Sequence, residues 1–291
     1  VRAARTGSGS FRLFLSMDML LVDFQSLAIL LSEWRRLYES PDRPLPPVSI
    51  EFRSYLDRLE AHRRTPRYER DRAWWTERLD TMPEPPRIRL AADPAKLTAP
   101  RFGSKDAEVD RATWVRIRDA ARDHGVTPSA AMGAAYAGVI AAWSGSRRFV
   151  LNLPIFDRVG FHEDVDRLVG PFTTNVLVPV DLTPGEDPWQ TAKSLHRSFL
   201  EALEHRLFHG VEVARALGQK RRAGLASLAP VVLTSALYGS RLEGWGRIRT
   251  CMTQTPQVWL DCQAFEDGEG LRLRWDHVED LLPSEAIEPV F

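Results

Sequence analysis

Cysteine is scarce in this 291-residue chain, which holds only Cys251 and Cys262. Two such thiols show neither zinc-ligand spacing nor a disulfide framework, which fits a reducing, cytoplasmic compartment. Net charge is absent as well: 39 lysines and arginines balance 39 aspartates and glutamates. That balance argues against a dedicated nucleic-acid or membrane-surface binder. Basic residues do cluster at Arg63, Arg64, Arg67, Arg70 and Arg72, but acids are interleaved, so the stretch reads as a solvated helix face. No run approaches the roughly 20 apolar residues needed to span a bilayer. The first ten residues carry no signal-peptide pattern, and Val1 is no natural start. His124, His162, His205, His209 and His277 are scattered without metal spacing and read as surface or loop residues. No metal is expected. Gly239, Gly244 and Gly246 are too dispersed for a phosphate loop, so no nucleotide is expected either. No internal repeat or low-complexity tract is visible.

What is present is globular in kind: 44% hydrophobic and 27% charged residues, in a length that permits one large domain or two ordinary ones. Phe11 to Val22 reads as a buried strand without a partner before it, which suggests a piece of a longer polypeptide. Leu27, Leu30, Leu31, Trp34, Leu37 and Tyr38 follow helical spacing, and Asp23 or Ser26 could cap that helix. Helices are expected over 52–59 and 68–79, then a proline-rich crossing over 82–100. Strands around 101–109, 149–155 and 175–180 alternate with helices over 111–124, 127–143, 187–205 and 211–217. Trp34, Trp74, Trp75, Trp114 and Trp143 fall at helical positions and read as core. The sum is an α/β chain of two lobes, residues 1–95 and 96–291.

Two late strands are the most informative. Pro230 to Tyr238 and Gln257 to Phe265 are apolar runs, the second turned by Gly268-Glu-Gly270 into a hairpin with 271–275. At period two, Val232, Thr234 and Ala236 share one face of the first; Trp259, Asp261 and Gln263 share one face of the second. A carboxylate between Leu260 and Cys262 is costly to bury unless hydrogen-bonded. A hydroxyl on the neighbouring strand would supply the partner, so Thr234 and Asp261 are the leading candidates for a working pair. Elsewhere, Asp18 and Asp23 bracket a strand-to-helix turn; on their own they read as a turn residue and an N-cap.

Four segments in order carry a resemblance. They are Asp18-xxxx-Asp23 followed by Ser26, Val169-Gly-Pro-Phe-Thr173, Pro230-Val-Val-Leu-Thr-Ser235 and Gln254-Thr-Pro-Gln-Val-Trp-Leu-Asp261. Together they resemble the heterocyclization domains of nonribosomal peptide synthetases, in the condensation-domain superfamily. Trp75 to Pro83, Asn152 to Phe156, Asp164 to Gly170 and Trp275-Asp276 are similar to that family too.

The resemblance implies two chloramphenicol-acetyltransferase-like lobes in a V-shaped pseudo-dimer, the N-terminal lobe here incomplete. It implies peptide-bond formation between an upstream carrier-bound acyl thioester and a carrier-bound cysteine, serine or threonine. Ring closure and loss of water to thiazoline or oxazoline follow, in siderophore or antibiotic biosynthesis. Partners would be upstream and downstream carrier domains and an adjacent adenylation domain. The chain itself would bind no cofactor, the 4′-phosphopantetheine arms belonging to the carriers. Asp261 matches the family's catalytic aspartate, expected as general acid and base, and Thr234 its catalytic threonine. Asp18 and Asp23 match the signature pair: Asp23 holding the turn, Asp18 lining a tunnel or pairing with an arginine. Gln257, Gln263, Ser235 and Thr173 are candidate substrate contacts, with strand-edge polar residues as the other reading of the two glutamines. The chain departs from the family at Pro171, where an aspartate is usual. That departure leaves open condensation without cyclization, and a non-catalytic carrier-docking module is the reading from another class.

Overall fold

The computed structural model describes residues 1–7, 9–222, 224, 228–237, 252–255, 257–267 and 270–291. Cys251, Gly239, Gly244, Gly246, the strand end at Tyr238, Pro256 of the fourth motif and the turn residues Gly268 and Glu269 lie outside the described residues. The chain is α/β and divides into two compact units. Among described residues the first holds 1–7, 9–60 and 156–173, and the second holds 61–155, 174–222, 224, 228–237, 252–255, 257–267 and 270–291.

The first unit opens with an antiparallel hairpin of β1 (Arg2–Gly7) and β2 (Ser10–Phe14). This corrects the expectation of a buried, partnerless strand over 11–22. The partner is β1, every residue of both strands is exposed, and strand geometry stops at Phe14. Alternation alone promises burial only if another layer covers the apolar face, and a two-stranded sheet supplies none. Residues 18–22 instead turn, the Asp18 carbonyl accepting from the amides of Leu21 and Val22. Helix α1 (Phe24–Glu39) then buries Ala28 and Leu31. Helix α2 (Phe52–His62) packs Tyr55 against Phe172 and Phe161. The Tyr55 hydroxyl donates to the Asp157 carbonyl and accepts from the Val159 amide, tying residues 156–173 to α2.

In the second unit a six-stranded sheet runs in the order β3 (Phe102–Asp110), β8 (Gly270–Val278), β7 (Leu260–Asp267), β6 (Val231–Ala236), β4 (Arg148–Phe156), β5 (Thr173–Asp181). The β3–β8 and β8–β7 pairs are antiparallel, whereas β7–β6 and β6–β4 are parallel. Helix α3 (Pro66–Arg78) belongs to this unit, with Trp75 in its core. Capping explains the helix starts. Asp110 accepts from the Thr113 amide at the head of α4 (Arg111–Asp123). Thr127 accepts from the Ala130 amide at the head of α5 (Pro128–Ser144), which has proline in its first turn. Asp187 does the same for α6 (Pro188–Glu204), and α7 (Gly210–Arg221) follows. No single helix among the described residues is long and apolar enough to cross a membrane.

Strand alternation sorts the sheet's side chains. Leu233, Cys262 and Trp275 join the core cluster with Tyr136 and Ile140 of α5, and Trp275 meets Tyr136 edge-on at 5.6 Å. Thr234, Asp261, Gln263, Arg274 and Asp276 fall on the opposite face. Of the five tryptophans assigned to the core, Trp75 and Trp114 are buried, while Trp34, Trp74 and Trp143 are half-buried. His277 corrects the surface reading of the histidines: it is a buried β8 residue, and burial lowers its pKa.

Candidate active site

The two late strands meet as their alternation predicts. β6 and β7 run parallel with Val232 opposite Asp261 and Thr234 opposite Gln263. The Thr234 hydroxyl donates to Asp261 Oδ1 at 2.8 Å. Gln263, two residues on and on the same face, donates from Nε2 to Asp261 Oδ2 at 2.9 Å. The carboxyl group is therefore held at both oxygens, and Asp261 is 8% exposed. Burial is the main cause that raises its pKa from 3.8 to about 6; the Thr234 and Gln263 hydrogen bonds oppose it, and the neighbouring Asp276 adds to it. The adjacent Cys262 thiol is pushed up to about 12, again chiefly by burial. A narrow cavity of about 10 Å³, room for one water-sized group, touches Asp261 and Asp276 between Thr253, Val258 and Phe102. A larger hollow of about 330 Å³ against α6, lined by Lys193, Arg197 and Leu200, shares no residue with this cluster.

The structure brings in Thr253, Arg274 and Asp276, to which sequence reasoning gave no part in the site. Gln263 Nε2 also reaches Thr253 Oγ1 at 2.8 Å and Asp276 Oδ2 at 2.9 Å. Asp276 is in turn gripped by Arg274 Nε at 2.8 Å. The period-two pattern Arg272, Arg274, Asp276 was the available signal, but it acquires meaning only once the β7–β8 register is known.

The other candidates are placed as follows. Gln263 is buried with its amide nitrogen engaged by these oxygens, so it holds Asp261 rather than presenting a free donor. Gln257 is exposed. Ser235 faces the other side of the sheet, its hydroxyl 2.7 Å from that of Ser129 in α5. Thr173 is exposed in the first unit.

The first two motifs converge within the first unit. Asp23 is buried, caps α1 by accepting from the Ser26 amide at 2.7 Å, and donates its own amide to the Gly170 carbonyl at 3.1 Å. The Ser26 hydroxyl donates to that carbonyl at 2.8 Å and accepts from the Gly170 amide at 3.0 Å. Arg158 donates to Asp23 Oδ1 at 3.1 Å and Ser26 Oγ at 3.0 Å, and to the carbonyls of Val165 and Leu168. Its guanidinium lies 3.8 Å from the centre of the Phe172 ring. A Cβ at Gly170 would sit 2.5 Å from the Phe52 ring, so any larger residue would force that ring to move. The arginine expected near Asp18 thus belongs to Asp23. Asp18 is exposed, and its carboxylate accepts from the Leu20 amide.

Comparison with known proteins gives the same grouping. Residues 2–240 match the family described as Condensation domain. The chain belongs to that family. It is 37% identical over 281 residues to pyochelin synthetase PchF of Pseudomonas aeruginosa, covering 95% of this chain and 15% of that protein. It is 37% identical over 290 residues to phenyloxazoline synthase MbtB of a Mycobacterium species, covering 97% and 24%. The cyclization-docking bidomain of the EpoB nonribosomal peptide synthetase from Sorangium cellulosum superposes with a TM-score of 0.85 at 33% identity, covering 94% of this chain and 56% of that one. The chain therefore spans less than a quarter of the length of these two curated relatives.

Proposed function

We propose that this domain is the heterocyclization domain of a nonribosomal peptide synthetase. In this reading it joins an upstream carrier-bound acyl thioester to a carrier-bound cysteine, serine or threonine. It then closes and dehydrates the ring to a thiazoline or oxazoline. The observation that carries the proposal is the buried Thr234–Asp261 pair, with burial pushing the Asp261 carboxyl up to about 6. The similarity to a cyclization domain, a phenyloxazoline synthase and a pyochelin synthetase supports it.

The roles follow from the chemistry. After amide formation, the side-chain thiol or hydroxyl adds to the new carbonyl carbon and leaves a ring carbon bearing a hydroxyl. Dehydration breaks that C–O bond, forms a C=N bond and removes the proton on nitrogen. Asp261 gives its proton to the departing hydroxyl and takes the nitrogen proton, returning to its starting form. A group titrating near neutrality serves both transfers. Thr234 orients the carboxyl group. The substrate tethers are the phosphopantetheine arms of upstream and downstream carrier domains, with an adenylation domain alongside and a cytoplasmic setting. Residues 1–95 and 96–291 are the two lobes of this reading.

The test is the mass of the carrier-bound product formed by the intact polypeptide with loaded carriers, for wild type and Asp261→Ala. Heterocyclization requires a wild-type product lighter by one water than the linear amide, and linear amide from the variant. Linear amide from both would make this a condensation catalyst, with Pro171 as the residue to exchange next. Carrier binding without any product would leave only a docking module.

A further inference from the structure

Asp276 is a second buried carboxylate, 3% exposed, to which the reaction above gives no part. It stands directly opposite Asp261 in the antiparallel β7–β8 register, and Arg274 stands opposite Gln263. All four side chains share one face of the sheet. Like charges directly across a sheet disfavour each other, and two close carboxyl groups do not both ionise at low cost. The two carboxyl groups differ in the donors that surround them.

The hydrogen bonds set them apart. Arg274 Nε donates to Asp276 Oδ1 at 2.8 Å, a pair with side chains only 4% and 3% exposed. The rest of the guanidinium is turned away from Asp261, toward Ser104 Oγ at 2.7 Å and Asp106 Oδ1 at 3.2 Å on β3. The Thr253 amide and hydroxyl donate to Asp276 Oδ2 at 2.8 and 3.1 Å. Asp276 thus collects charged and backbone donors, whereas Asp261 receives only neutral side-chain donors: the Thr234 hydroxyl and the Gln263 amide at 2.8 and 2.9 Å, and the Thr253 hydroxyl at a longer 3.4 Å. Gln263 Nε2 bridges the two carboxyl groups at 2.9 Å each. Among the described residues, the other titratable groups around Asp261 are the Tyr136 phenol of α5 and the Cys262 thiol, both raised by burial and so neutral at physiological pH, and His277, which lines the same small cavity and whose pKa burial lowers. Asp106 is half-exposed and its charge is screened by water.

We propose that Asp276 is a positioning residue for Asp261: ion-paired to Arg274, it aims Gln263 and favours the proton-bearing form of the Asp261 carboxyl beside Thr234. This rests on the reading of Asp261 as the proton donor in dehydration, but its test does not require turnover.

The test is a carboxyl ¹³C NMR titration of the 291-residue chain labelled at aspartate Cγ, with the Asp261 signal assigned by its loss in Asp261→Asn. Asp276→Asn removes the facing charge and frees the Arg274 cation, so the Asp261 midpoint falls by about one pH unit or more. Arg274→Gln leaves Asp276 uncompensated and moves the midpoint up. Arg274→Lys keeps the counter-charge and stays close to wild type; with Arg274→Gln it decides the matter should Asp276→Asn not fold. A merely structural role would not move the midpoint in opposite directions. An Asp261 midpoint unchanged in Asp276→Asn, or moved the same way by Asp276→Asn and Arg274→Gln, overturns the proposal. In the product assay, the pH at which Asp276→Asn yields half-cyclized product falls by the same amount. Only linear amide from wild type would defeat the heterocyclization reading, and the titration would still decide the role of Asp276.

Discussion

Asp261→Asn should stabilise the protein at pH 8 while removing its chemistry. Burial raises the Asp261 pKa from 3.8 to about 6. At ~1.4 kcal/mol per pH unit, that difference of about two units makes the ionised carboxylate cost about 3 kcal/mol of folding stability. The sign follows from proton binding. The folded state holds this proton more tightly than the unfolded chain, so its contribution is fully present below about pH 4 and is lost as pH rises through about 6. Asparagine has the same shape and no charge. Its oxygen can accept from Gln263 and its amide can donate to the Thr234 hydroxyl, so neither partner is orphaned. Urea denaturation at pH 4 and pH 8 measures the effect. The variant should match wild type at pH 4 and exceed it by about 3 kcal/mol at pH 8, or about 5 °C in Tm. A variant less stable than wild type at pH 8, or offset equally at both pH values, would refute the placement of a raised-pKa carboxyl at this position.

Three further outcomes test the scaffold. Arg158→Met strands the buried Asp23 carboxylate, whose partner is 4% exposed, and should cost about 3–5 kcal/mol in chemical denaturation. Ser235→Ala removes the hydroxyl contact with Ser129 on the helix side of the sheet. It should cost about 1 kcal/mol and leave the fraction of cyclized product unchanged. Gly170→Ala drives a methyl group into the Phe52 ring and should lower stability by about 1–3 kcal/mol, read as a lower denaturation midpoint.

The Thr234–Asp261 contact was legible because strand periodicity is short-range. Polar residues at Thr234 and Asp261 inside apolar runs needed only a neighbouring partner, and parallel pairing of β6 and β7 supplies it. The Asp276–Arg274 support was not legible, since it depends on the β7–β8 register, and a slip of one residue would put both side chains on the other face. Arg158 was hidden for a different reason. It lies 135 positions from Asp23, in a segment whose only local signal is irregular loop. The exposed hairpin shows the reverse failure: Phe11 and Leu13 alternate with Arg12 as a half-buried strand would, yet nothing in the alternation says what covers the apolar face.

The central claim is that Asp261, oriented by Thr234, catalyses dehydration of the ring. The most direct measurement bypasses condensation: the preformed linear amide of carrier-bound cysteine is offered to the domain, and loss of one water is followed by mass over time. Wild type should dehydrate it, Asp261→Asn should not, and Thr234→Val should be slowed by at least about tenfold, the loss of one hydrogen bond of about 1.4 kcal/mol in the transition state. Dehydration by Asp261→Asn at the wild-type rate would contradict the account.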